Sequence, residues 1–171
     1  MFEHLGAATT RPLACQTAFP AGDSSSQPSN PQIFVPLGSS LHLWQFGEDG
    51  PTLRHSLTSA HADVITTVRL SADGQLLASG SSGHSHRGGD VAIWDMSKLH
   101  GAGVDESAGL SAVCLARWRT HPLNAVLDLA WSADGKRVVA CCVPEFSEPL
   151  LPETQQGLSV LSVGGDEAEV G

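Results

Sequence analysis

Apolar and polar positions alternate in short runs along most of this chain, and residues that break extended structure divide the runs. Residues 33–37 and 41–46 are two such runs, split by Gly38-Ser39-Ser40 at the spacing of two strands and a tight turn. In the second, Leu41, Leu43 and Gln45 fall on one face while His42, Trp44 and Phe46 fall on the other, the two-residue period of a strand. Gly47, Gly50 and Pro51 then interrupt the chain, and residues 53–57 predict a further short strand leading into the loop that holds His61. Residues 64–70 are rich in β-branched side chains, Ser71-Ala72-Asp73-Gly74 is a strong turn signal, and residues 76–81 resume an extended pattern. A loop of Gly, Ser and His follows, and Val91-Ala92-Ile93-Trp94 closes the group as a fourth strand. Four consecutive antiparallel strands with no helical period between them make a sheet unit, so the fold class is all-β.

The pattern occurs twice. Thr120-His121, residues 126–131, Ser132-Ala133-Asp134-Gly135 and residues 138–142 repeat Ala60-His61, residues 64–70, Ser71-Ala72-Asp73-Gly74 and residues 76–81. The two turns lie 61 positions apart, an internal repeat that excludes most single-domain α/β arrangements. This period exceeds the roughly 40–45 residues of a four-stranded propeller blade. The excess lies between Asp95 and Trp118, and residues 96–112, weakly periodic and carrying several glycines, are assigned to an inserted surface loop. Residues 1–31, rich in Ala, Thr, Ser, Pro and Gly, have little to bury and read as a flexible, disordered segment with one short strand near residues 13–19. The repeats thus occupy 32–143. Beyond them the prolines and glutamates of residues 144–156 oppose a central strand, and residues 158–163 predict one last strand within an irregular acidic tail, 144–171.

Charge and chemistry narrow the function classes. Nine basic against 18 acidic residues give a formal net charge of -9, which argues against a large basic face for nucleic acid. The N-terminus lacks the pattern of a signal peptide, and no apolar run approaches the length of a membrane span, so neither secretion nor a membrane partner is expected. Cys141 and Cys142, adjacent on a strand, point to opposite faces and are poorly placed to pair with each other; with Cys15 and Cys114 they read as reduced residues of a cytosolic or nuclear chain. His84 and His86 form an H-x-H without a third ligand at a suitable spacing, and His4, His42, His55 and His100 have no partners at a recognisable spacing, so no metal site is assigned. There is no G-x-S-x-G elbow, and the glycine-rich residues 80–89 are flanked by strands and lack the helix N-terminus that phosphate binding needs. No catalytic or cofactor-binding residue is assigned, and an enzyme is not expected. Asp63, Asp73, Asp90, Asp95 and Asp128 give the loop surface an acidic tendency suited to basic partners, although each also suits a turn or a strand end. Asp63 and Asp128 are the candidate binding residues.

A unit that starts after a histidine, turns on S-x-D-G and ends on Trp94-Asp95 resembles a WD repeat, the building block of β-propellers. The resemblance covers about residues 33–143. His61 and His121 match the family's Gly-His position, with Ala60 and Thr120 in place of the glycine, and Trp44-Gln45 looks like the closing dipeptide of an earlier, less complete unit. It implies a hydrogen-bonded network inside the blade in which His61, Ser79 or Ser81, and Trp94 take three roles. The blade residues it assigns are His61, Ser79, Trp94, Asp95 and His121. Gly88 stands where the family's turn aspartate is found and Asp90 is displaced toward the tryptophan, so the enlarged turn 83–89 is expected to leave the network incomplete.

The order of units is similar to that in the WD-repeat subunits of chromatin assembly factor and the Hir-type histone chaperones, with Trp118, His121, Asp128 and Ala130-Trp131-Ser132 at matching positions. That resemblance implies a partial propeller of two to three four-stranded blades acting as a non-catalytic interaction scaffold. Its partners would be core histones and other chaperone subunits in the nucleus, with no cofactor and no direct contact to nucleic acid. A WD-repeat scaffold of another complex, nuclear or cytoplasmic, and a truncated propeller fragment are the alternatives. A closed propeller takes at least four blades, so this chain alone is expected to leave sheet faces and edges open, and to be marginally stable or to oligomerise.

Overall fold

Glycine turns set the hairpins. Gly74 and Gly135 lie at φ 71° and 67°, a region that residues with a Cβ rarely adopt, and each closes an S-A-D-G turn in which the serine carbonyl accepts from the glycine N–H at 2.9 Å. The computed structural model describes residues 16–18, 31–58, 60–83, 88–100, 114–120, 124–144 and 157–163. Among them are three antiparallel sheets, each a meander in chain order. The first comprises β1 (Gln16–Ala18), β2 (Gln32–Leu37), β3 (Ser40–Gly47) and β4 (Gly50–Leu57). The second comprises β5 (Ile65–Leu70), β6 (Leu76–Ser81), β7 (Asp90–Asp95) and β8 (Cys114–Arg119), and the third β9 (Asn124–Trp131), β10 (Arg137–Pro144) and β11 (Gly157–Ser162).

The sheets stack in sequence because successive residues of a strand face opposite ways. Leu77, Ala92 and Trp94 of the second sheet join Phe34, Leu41, Leu43 and Leu57 of the first in one buried cluster. Their neighbours Ala78, Val91 and Ile93 join Val126, Leu129, Val138, Ala140 and Cys142 of the third in another. The second sheet is therefore apolar on both faces, which is why its strands read as nearly continuous apolar runs. Polar ties reinforce the second seam: Arg69 and Thr67 donate to the Asp128 carboxylate at 2.7 and 3.2 Å, Trp131 Nε1 donates to the Arg69 carbonyl at 3.0 Å, and Thr66 donates to the Val126 carbonyl. The seam is also close. A Cβ at Gly80 would stand 2.5 Å from Val126 Cγ1, nearer than real side chains come.

The fold is an all-β, partial propeller whose sheets do not close into a ring. Its division into sheets differs from the sequence expectation. The strand at residues 53–57 belongs to the first sheet as part of β4, because the Gly47–Gly50 turn folds it back on β3. The fourth strand of the second sheet is β8, paired with β7. Residues 96–112 are not all surface loop: Met96–His100 form a short helix, α1, that buries Met96 and Leu99 in the first core cluster. The short strand expected near residues 13–19 is β1, paired with β2, and the last strand is β11, paired with β10.

Candidate interaction surfaces

The second sheet holds a buried polar chain across three elements. The loop before β5 places His61 so that its Nε2 lies 2.6 Å from Ser79 Oγ on β6, and Trp94 Nε1 on β7 donates to the same hydroxyl at 2.8 Å. All three residues are buried. Ser81 takes a different part, accepting from the Asp90 backbone N–H at 2.9 Å. Among the described residues His61 Nδ1 has no hydrogen-bond partner. Burial lowers the His61 pKa to about 4; the Asp90 carboxylate opposes that shift and the Arg117 guanidinium adds to it. The imidazole is therefore neutral at pH 7, and one of its polar atoms is unsatisfied, a cost to the fold rather than a gain.

Asp90 is committed elsewhere. Its buried carboxylate accepts from Arg117 at 2.7 Å and from Arg119 at 3.3 Å, both on β8. Two cations on one buried carboxylate fasten the outer strand to its sheet in a way that the spacing of Asp90 from Trp94 does not reveal. The Arg117-x-Arg119 alternation, which puts two guanidiniums on one strand face, is the signal that points to it. Asp95 closes β7 and caps α1, accepting from the Ser97 N–H at 3.0 Å and the Ser97 hydroxyl at 2.6 Å, which lower its pKa.

The candidate binding residues part company. Asp63 is half-buried in the loop before β5. Asp128, on β9, lies in the seam between sheets, with its carboxylate on Arg69 and on its neighbour's N–H. On the opposite rim the two S-A-D-G turns stand side by side, Ala72 and Asp73 facing Ala133, Asp134 and Gly135 across an open depression. The Ser71 and Ser132 hydroxyls hold the Asp73 and Asp134 carboxyls below the usual carboxylate range, so both are charged at neutral pH. His121, the H-x-H of His84 and His86, His4 and Cys15 lie outside the described residues. Among the described residues no group of three His, Cys, Asp or Glu is placed to hold a metal ion, and no helix is long and apolar enough to cross a membrane. Cys141 is exposed and Cys142 buried, both as free thiols, and burial raises the Cys142 pKa to about 11.

Two stretches of the chain, residues 51–95 and 112–143, match the WD domain, G-beta repeat, and the first of them holds His61, Ser79 and Trp94. Each match begins on the outer strand of one sheet, β4 or β8, and continues into the next, so the sequence unit and the sheet are offset by one strand. Over 109 residues, 60% of its length, the chain is 34% identical to the chromatin assembly factor 1 subunit FAS2 homolog of Oryza sativa subsp. japonica. It spans 19% of that curated relative's length. In fold, 81% of the chain is similar to 38% of hydrazine synthase from Kuenenia stuttgartiensis, with a TM-score of 0.57 and 13% identity. That is a likeness of architecture alone.

Proposed function

We propose that the chain is a non-catalytic protein-interaction scaffold of chromatin assembly, acting in the nucleus and binding core histones and other subunits of a histone chaperone. The observation that carries this reading is the 34% identity over 109 residues to a chromatin assembly factor 1 subunit. WD repeats suit the role, because their sheets bury their apolar faces on one another and leave loops and turns for partners. The charge suits it too: a chain of net charge -9 attracts basic proteins and repels nucleic acid. Asp63 and the turn carboxylates of Asp73 and Asp134 are the residues we assign to a basic partner. Asp128 serves the seam between sheets, since Arg69 already neutralises it.

The test is retention of recombinant core histones on the immobilised chain at moderate salt, beside a chain carrying Asp63→Asn, Asp73→Asn and Asp134→Asn. Asparagine keeps a side-chain oxygen in each turn and removes the charge. The expected result is retention by the parent chain and weaker retention by the substituted one. A parent chain that is folded by circular dichroism and retains no histone contradicts the reading.

A further inference from the structure

We propose that Arg117 and Arg119 form a clamp on β8 for a carboxylate side chain of an acidic partner protein. The clamp is prepared by the residue that holds it. Asp90, whose side chain is 5% exposed, accepts from Arg117 Nη2 at 2.7 Å and from Arg119 Nε at 3.3 Å. A guanidinium carries five N–H donors, and among the described residues these two arginines donate only to Asp90. Their side chains remain 38% and 51% exposed, so the outer donors reach solvent. In the register Arg117 lies beside Ala92 and Arg119 beside Asp90, on one face of β8. Two positive charges thus share one buried negative charge, and one positive charge is left over. In a chain of net charge -9 this is a local reversal of sign.

A planar guanidinium fork matches a carboxylate or a phosphate, and the charge decides between them. A carboxylate carries a single negative charge and cancels the surplus. A phosphate monoester, at about -1.5 to -2, would set uncompensated negative charge beside Asp90. Leu115, 46% exposed on the same strand, adds an apolar neighbour, which suits a side chain carried by a polypeptide better than a free ion. The clamp lies away from the S-A-D-G turns: Asp90 is at one end of β7, and Asp95 at the other end pairs with Leu76 just after the first turn. It therefore stands apart from Asp73 and Asp134, and does not rest on their assignment to a basic partner. Since β8 belongs to the middle sheet, the clamp is also independent of what covers the outer faces of the other two.

Fluorescence anisotropy with short, labelled poly-L-glutamate as the probe tests this. A chain of net charge -9 repels the probe except at a cationic site, so binding is diagnostic. The parent chain is expected to bind it and not to bind poly-L-glutamine. Arg119→Gln, at the more exposed side chain, is expected to weaken binding at least about tenfold, and Arg119→Lys to weaken it less. Lys136→Gln removes an exposed cation beside the turn of Asp134 and is expected to leave binding unchanged. Circular dichroism checks that each chain is folded. A folded parent chain that binds no poly-L-glutamate overturns the proposal, and so does an Arg119→Gln chain that binds as the parent does. Equal weakening by Lys136→Gln overturns it too, since it would mean attraction to any cation. So does displacement of the probe by inorganic phosphate at a lower concentration than by acetate, at equal ionic strength, which would make phosphate the ligand.

Discussion

The second and third sheets share a turn but not a core. Around Asp73 the Ser71 hydroxyl and the Gln75 N–H donate at 2.7 and 3.0 Å; around Asp134 the Ser132 hydroxyl and the Lys136 N–H donate at 2.5 and 3.1 Å. The strands that follow these matching turns differ. From Leu77 to Ser81 every residue of β6 is buried, whereas β10 alternates, burying Val138, Ala140 and Cys142 and leaving Val139 half-buried and Cys141 exposed. Local sequence dictates the turn, through a serine, an aspartate and a glycine at fixed offsets. Burial is dictated by the neighbour: the second sheet has one on each side, the third only on one among the described residues.

The largest test of this contrast compares the two strand tryptophans. Trp94→Ala removes a side chain packed between two sheets and its bond to Ser79, and is expected to cost about 3–5 kcal/mol in urea unfolding. Trp44→Ala, on the third strand of the first sheet and on its face away from the second sheet, is expected to cost less than half of that. Acidification probes the same interior. His61 has a pKa near 4 in the fold against 6.5 unfolded, so the unfolded chain binds the extra proton first as pH falls. Its neutral burial is fully tolerated above pH 6.5, and stability falls by about 3 kcal/mol between pH 6.5 and 4. His61→Gln is expected to flatten that part of the curve. The smallest test pairs Gly80→Ala with Cys141→Ala. The first drives a methyl group into Val126 and is expected to cost about 1–3 kcal/mol; the second, exposed, is expected to change stability by no more than about 0.5 kcal/mol.

Much of the architecture was legible as alternation and repetition. The strands around the first S-A-D-G turn, and Trp94 at the end of the third of them, can be read directly from the residues. Sheet membership cannot, because alternation marks which face of a strand is buried and not which strand lies beside it. Hence residues 53–57 read as part of the unit that follows them, and β8, just beyond the insertion, carries no burial pattern to mark it, its middle residues exposed and its partners on β7 twenty or more positions away. α1 is only five residues long, too short for a helical period, and only the burial of Met96 and Leu99 reveals its role. The polar chain of His61, Ser79 and Trp94 followed from resemblance. The commitment of Asp90 to Arg117 and Arg119 did not, since it links residues 27 and 29 positions apart through a pairing only the fold creates.

The central claim is that the second sheet is the doubly covered heart of the molecule and the third a sheet with an open face. Amide hydrogen exchange on the folded chain tests it most directly. The amides of β6 and β7 are predicted to exchange slowest, at least about tenfold slower than those of β10 and β11. Equal protection of β6 and β10 would contradict it.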